Sequence, residues 1–210
     1  LCKKIDGEDV LKNVSFRVER GDKIAFISDK ETSVTALFEI LMEKDTQDSG
    51  TFKWGVSTST SYFPKDNSEF FNDCDDSILN WLEQYNNGAD HTETYLRGFL
   101  GRMLFSGEDV FKPVKVLSGG EKVRCMLSKM MMGGANVLVL DQPTNHLDLE
   151  SITAVNKGLA SFPGIVLFTS HDHEFISTVA NRIIFIQEDG IKDITSGYDE
   201  YLAANNLIRE

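Results

Sequence analysis

Val137-Leu-Val-Leu-Asp-Gln-Pro-Thr-Asn-His-Leu-Asp148 is the stretch on which the reading of this chain turns. Four consecutive apolar residues are too few for a helix and lack polar alternation. They read as a strand buried on both faces, the kind found in parallel sheets. The run stops at Asp141, which such a strand delivers to the C-terminal edge of the sheet, where open α/β folds hold their ligands. Working outward, the same pattern recurs. Lys23–Ile27, Ser61–Phe63, Ile165–Phe168 and Ile183–Ile186 read as strands, and Glu121–Met132, Ser151–Leu159 and His173–Val179 read as helices. Strand and helix in turn predict crossover units on a parallel sheet.

The amino-terminal part differs. Val14, Phe16 and Val18 alternate with Ser15, Arg17 and Glu19, the period of a strand with one wet face, so a small antiparallel sheet is expected there. A polar loop from Ser28 to Ser33 precedes a helix whose apolar stripe is Leu37, Phe38, Ile40 and Leu41. Asp48-Ser49-Gly50 is a turn before an expected short strand, Thr51–Trp54. From about Asp73 to Val116 the chain becomes more aromatic, richer in Asn and Asp, and helical in period. Asp76 or Ser77 can cap a helix carrying Ile78, Leu79, Leu82 and Tyr85, and a second helix is expected over Glu93–Leu104. The expectation is one α/β domain: residues 1–72 hold the antiparallel sheet and the first part of the core, 73–116 a helical insert, and 117–210 the rest of the core.

Composition narrows the function classes. The 210 residues carry 21 Lys plus Arg against 33 Asp plus Glu, a net charge of −12. So acidic a chain does not itself coat a nucleic-acid backbone. With 41% hydrophobic and 26% charged residues it reads as globular. No apolar run approaches the roughly 20 residues of a membrane span, so no membrane role is expected. Cys2, Cys74 and Cys125 lack metal or redox spacing, and their odd number argues for a reducing, cytoplasmic setting. The first residue is Leu1, and the expectation is a piece of a longer protein.

Three motifs carry the chemistry. In Leu117-Ser-Gly-Gly-Glu-Lys-Val-Arg124, two glycines open a helix, so the backbone can approach an anion and the helix N-terminus can meet it with free N–H groups. Asp141 ends its strand where a nucleotide-bound Mg²⁺ is held, and Gln142 follows where an attacking water is oriented. Ser170-His171-Asp172 ends the next strand. In this order and spacing the three resemble the signature motif, Walker B strand with D-loop, and switch histidine of ATP-binding cassette (ABC) domains. The resemblance covers nearly the whole chain. Gln142-Pro-Thr-Asn-His-Leu-Asp148, Leu117–Arg124 and the closing Gly197-Tyr-Asp-Glu-Tyr-Leu202 resemble the ABC-F branch. Ser49–Trp54 and Leu96–Phe105 resemble its second cassette.

The resemblance implies an ABC-type P-loop NTPase core, ATP and Mg²⁺ as cofactors, and no membrane domain. It implies pairing head to tail with a second cassette, in the same full-length chain or as a homodimer, and coupling to the ribosome in translation. Ser118, Gly119, Gly120 and Glu121 are then nucleotide-binding, Thr35 and Asp141 serve Mg²⁺, and Gln142 and His171 are the catalytic positions. His146 falls in the D-loop, facing the partner.

Two places depart from the family pattern. A phosphate loop reads Gly-x-x-x-x-Gly-Lys-[Ser/Thr], whose N–H groups cradle phosphates while the lysine neutralises them. Here Ser28-Asp-Lys-Glu-Thr-Ser-Val-Thr35 stands in that place. Ser28 and Ser33 replace glycines, Val34 replaces the lysine, Glu31 adds a negative charge, and Lys30 compensates from the wrong end. A lost charge-assisted hydrogen bond costs about 1.5–3 kcal/mol, so weak ATP binding by this loop is expected. Ile5 stands where an aromatic residue stacks on adenine, and Lys65 near the expected Q-loop glutamine. The second departure is Gln142, where hydrolytic cassettes carry Glu; general-base catalysis is worth about 10²–10⁴-fold. Decay alongside the phosphate loop and a deliberate trapping substitution are both open. Three functions follow: an ATPase half that lends its signature to a partner, a silent scaffolding cassette, and a transporter's nucleotide-binding subunit. The last is disfavoured by Asn145-His146 and Glu121.

Overall fold

The structure is a computed structural model that describes residues 1–88, 90–145, 147–195 and 198–204. Its centre is a six-stranded sheet built from β3 (Lys23–Ser28), β4 (Thr60–Phe63), β5 (Val137–Asp141), β6 (Ile165–Thr169), β7 (Arg182–Gln187) and β8 (Gly190–Ile194). The spatial order is β4-β5-β6-β3-β7-β8, with every pairing parallel except the antiparallel β7–β8 edge. Two short strands, β1 (Lys3–Ile5) and β2 (Glu8–Leu11), form a separate antiparallel hairpin. The α/β class and mostly parallel sheet expected from the alternation are what the fold contains.

The apolar run of β5 is buried throughout, and successive residues feed opposite layers. Val137 and Val139 join a core under α1 (Glu31–Leu41), while Leu138 and Leu140 join the larger core on the other face. The α1 stripe, Leu37, Phe38 and Ile40, is fully buried. Each such side chain contributes about 1.5–3 kcal/mol of burial, which fixes α1 against the sheet. The larger core is shared by α4 (Gly119–Met132) and by the short helices α2 (Ile78–Glu83) and α3 (Glu93–Arg102). Ser77 caps α2, and Trp81 stacks on Phe71 at 5.0 Å. The remaining helices are α5 (Leu149–Ala160), α6 (His173–Val179) and α7 (Tyr198–Ala204).

Two expected strands are corrected. Residues 14–18 keep their alternation of burial, with Val14 buried and Phe16 against Phe26 at 5.3 Å, yet they join no ladder among the described residues. The first antiparallel pair is instead the hairpin before them. Residues 51–54 likewise form no strand; Trp54 is held by its indole N–H donating to Leu41 O at 3.0 Å. Side-chain anchoring places both segments outside the ladders, and the backbone of Val14 exchanges hydrogen bonds with Leu1, its N–H donating to Leu1 O at 3.0 Å and its carbonyl accepting from the Leu1 ammonium at 2.6 Å.

Candidate functional site

The C-terminal edges of β3, β4, β5 and β6 lie side by side, so the residues that follow these strands meet. After β3 only Asp29 and Lys30 intervene before α1 begins at Glu31, which shortens the expected loop from Ser28 to Ser33. The physical reason lies in the substitutions. A wide phosphate arch needs glycines, and Ser28 and Ser33 do not supply them. Glu31 instead favours the positive end of a helix and lets α1 start early. The Ser28 hydroxyl accepts from Lys30 N–H at 3.2 Å, closing the short turn. Lys30 Nζ points away to Glu8 Oε2 at 3.5 Å. Ser33 is buried, and Val34, only 2% exposed, packs into the core under α1. Thr35 turns toward the edge, its hydroxyl donating to Asp141 Oδ2 at 2.8 Å.

Asp141 is almost wholly buried, and burial pushes its carboxyl up, against the Thr35 hydroxyl and Lys65, which favour the charged form. Gln142 follows in the left-handed region at φ 56, a conformation costing a non-glycine residue about 1–2 kcal/mol. Its Oε1 is buried without a hydrogen-bond partner, and its Nε2 lies 3.0 Å from His171 Nε2. His171, two residues beyond β6, also brings Nε2 to 2.8 Å from Glu31 Oε1. The other Glu31 oxygen, Oε2, accepts from Lys65 Nζ at 2.5 Å. Lys65 and then His171 hold the Glu31 carboxyl below the usual range, and Glu31 holds the Lys65 ammonium above its own.

This Glu31–Lys65–His171 cluster escapes a motif-by-motif reading, because its members are 34 and 140 positions apart. The charges themselves were a usable signal: a glutamate in the turn after β3 and a lysine after β4. A second unread link is the buried pair of hydroxyls, Thr144 Oγ1 and Ser170 Oγ, 2.6 Å apart. Ser170 Oγ also accepts from Asp172 N–H at 3.0 Å, which ties the exit of β5 to the exit of β6.

The signature residues form a different surface. Ser118 caps α4, its hydroxyl accepting from Glu121 N–H at 3.2 Å, while Glu121 Oε2 accepts from Ser118 N–H at 2.9 Å. This reciprocal capping box satisfies two otherwise orphan donors. Glu121 Oε1 also takes a contact from Lys112 Nζ at 3.3 Å, so its carboxylate is engaged within the chain. Gly119 is exposed with open space where a side chain would stand. Gly120 is buried; an added Cβ would lie 3.0 Å from Ser151 Oγ. Ser118 and Gly119 therefore present a bare, capped helix start, with Gly120 packed beneath them against Ser151. His146 lies outside the described residues, as does Gly197. Ile5 is exposed in the first hairpin.

Which ligand these residues fit can be judged from their chemistry. Thr35 hydroxyl and Asp141 carboxylate are the hard oxygen donors that Mg²⁺ takes. The chain's own loop after β3 is built differently from a phosphate cradle. It is a two-residue turn, Val34 is part of the core, and a carboxylate stands among the cationic groups.

The ABC transporter family profile matches residues 11–145. The uncharacterized ABC transporter ATP-binding protein YkpA of Bacillus subtilis (strain 168) is 62% identical over 202 residues, covering 96% of this chain and 37% of YkpA. The energy-dependent translational throttle protein EttA of Escherichia coli (strain K12) is 32% identical over 201 residues, covering 91% of this chain and 35% of EttA. The chain thus spans little more than a third of these curated relatives. The dimeric post-hydrolysis state of the ATP-binding cassette MJ0796, bound to ADP and Pi, superposes with a TM-score of 0.71 at 16% identity, over 94% of this chain and 96% of that one. At that identity the likeness concerns the fold. Among the described residues no helix is long and apolar enough to cross a membrane. Sheet order, motif order and profile agree, and the chain belongs to the ABC transporter family as one of its ATP-binding cassettes.

Proposed function

We propose that this chain is the second cassette of an ABC-F-type ATPase and that it works by completing a partner's nucleotide site. Its contribution is the α4 start: the Ser118 hydroxyl, the N–H groups of Gly119 and Gly120 and the positive helix end are offered to the terminal phosphate of ATP–Mg²⁺ held by the partner. The observation that carries this reading is the contrast within one molecule between a capped, exposed signature helix and a phosphate loop that packs on itself. Gln142 cannot accept a proton, so hydrolysis at the chain's own site is feeble. The translational name of EttA belongs to that protein; it supports, for this chain, a role in translation in which cassette closure alters affinity for the ribosome. Such coupling needs two states that bind the target differently, and pairing of cassettes supplies them.

The test is ATP hydrolysis by the full-length two-cassette protein. Replacing Ser118 is expected to lower the rate much more than replacing Val34 by Ala. Equal losses, or a larger loss at Val34, overturn the reading. Full activity in both variants favours a silent scaffold instead.

A further inference from the structure

The family pattern leaves Glu31 unexplained: a glutamate in a phosphate loop repels the ligand the loop exists to hold. Its surroundings give it a use. Glu31 is the first residue of α1, at the positive end of the helix dipole. Its two oxygens serve two different partners, Lys65 after β4 and His171 after β6. Gln142, after β5, touches the same His171 nitrogen. Lys65 and His171 thus converge on one carboxylate, and Gln142 joins the cluster through His171. Lys30, the remaining cation of the short turn, faces Glu8 instead. An ordinary surface ion pair joins two side chains and contributes little. Here one anion is held by an ammonium, an imidazole and a helix end together, which is the donor set expected around a phosphate.

We infer that the Glu31 carboxylate is a built-in anion occupying the seat that the end of a polyphosphate would take, so that Lys65 and His171 stay converged without any ligand. This rests on reading residues 28–35 as a degenerate phosphate loop. In this arrangement the cassette edge is set by its own sequence instead of by nucleotide. Free anions are excluded because the seat is filled and its occupant is negative. Removing the carboxylate leaves Lys65, His171 and the helix end facing an empty seat that inorganic phosphate can enter.

The experiment uses the 210-residue chain and inorganic phosphate as the probe, with sodium chloride matching ionic strength. Thermal midpoints are followed for the unaltered chain, for Glu31→Ala, for the isosteric Glu31→Gln, and for Glu31→Ala combined with Lys65→Gln. The unaltered chain is expected to respond to phosphate no more than to chloride. Glu31→Ala is expected to be stabilised, with half-saturation at a phosphate concentration about ten-fold or more below any response of the unaltered chain. That factor is what one recovered charge-assisted bond implies. Glu31→Gln responds less than Glu31→Ala, since its amide still fills the space, and the double variant loses the response. A Glu31→Ala chain that responds no more than the unaltered one overturns the inference. So does a double variant that responds as strongly as Glu31→Ala, because the anion then sits on the helix end alone. No partner cassette enters this experiment, so its failure leaves the Ser118 test standing, and failure of the Ser118 test leaves the phosphate result standing.

Discussion

Two helix starts, at Glu31 and at Gly119, meet the same electrostatic situation and resolve it in opposite ways. Each opens a helix of more than ten residues with an acidic side chain in its first turn. At α4 that side chain, Glu121, folds back onto the N-cap, while Ser118 and Gly119 stand exposed at the helix start. At α1 there is no side-chain cap, and Glu31 reaches across the sheet edge to Lys65 and His171. At α4 the acid is spent on the helix's own N-cap, and at α1 on groups that follow neighbouring strands. The difference shows that the two helix starts diverge in geometry as much as in charge.

Placing a lysine in the first turn of α1 is the most severe way to strain this contrast. Val34→Lys places an ammonium at a position 2% exposed, within the core under α1. An unpaired buried charge costs about 3–5 kcal/mol, and urea unfolding is expected to show a loss of that order with no gain in ATP binding. Tight nucleotide binding without destabilisation would dissolve the distinction between the two helix starts. Next in size is Ser118→Asp, which keeps an N-cap oxygen but sets a negative charge at the open helix start. Stability is expected to change by about 0.5 kcal/mol or less, while ATP hydrolysis by the two-cassette protein falls about 10²-fold, the typical effect of losing a transition-state donor. Chemical unfolding and steady-state kinetics on the same variant separate the two roles. A smaller effect belongs to Ser118→Ala, which removes the cap and is expected to cost about 1 kcal/mol; a neutral result would mean the capping box does not hold α4.

The smallest effect is a pH dependence at Asp141. Burial raises its folded-state pKa above the unfolded value, so the charged form opposes folding. The penalty is absent below the ordinary aspartate range, grows as pH rises toward the folded-state pKa, and is constant above it. Asp141→Asn keeps an acceptor for Thr35 and is expected to gain stability over the unaltered chain across that window. Urea midpoints compared over a pH series check it, and a difference that does not vary with pH rules the penalty out.

Much of the sheet was legible because its central strands are apolar on both faces. β5 and β6 extend one residue beyond their apolar runs, to Asp141 and Thr169, because backbone pairing continues there. The edge strand β8 escaped, since Gly190-Ile-Lys-Asp-Ile194 is half polar, as an exposed edge must be. Val14–Val18 alternated as a strand does, yet alternation reports burial, and pairing needs a free edge alongside. At the site, local motifs marked Asp141, Gln142, His171 and Ser118, each legible from its place after a strand or before a helix. The link between Glu31, Lys65 and His171 was not, because the order β4-β5-β6-β3 that unites them is a property of the fold.

The burial of Val34 has a consequence for the changes the chain can accept. Because an aliphatic side chain at this position supports the packing of α1, a single change to lysine is penalised by folding before any ligand can reward it. Building a lysine-bearing loop here would demand coordinated changes in turn length, interior volume and the residue at 31, taken in an order in which each intermediate still folds. Val34 therefore acts as a lock.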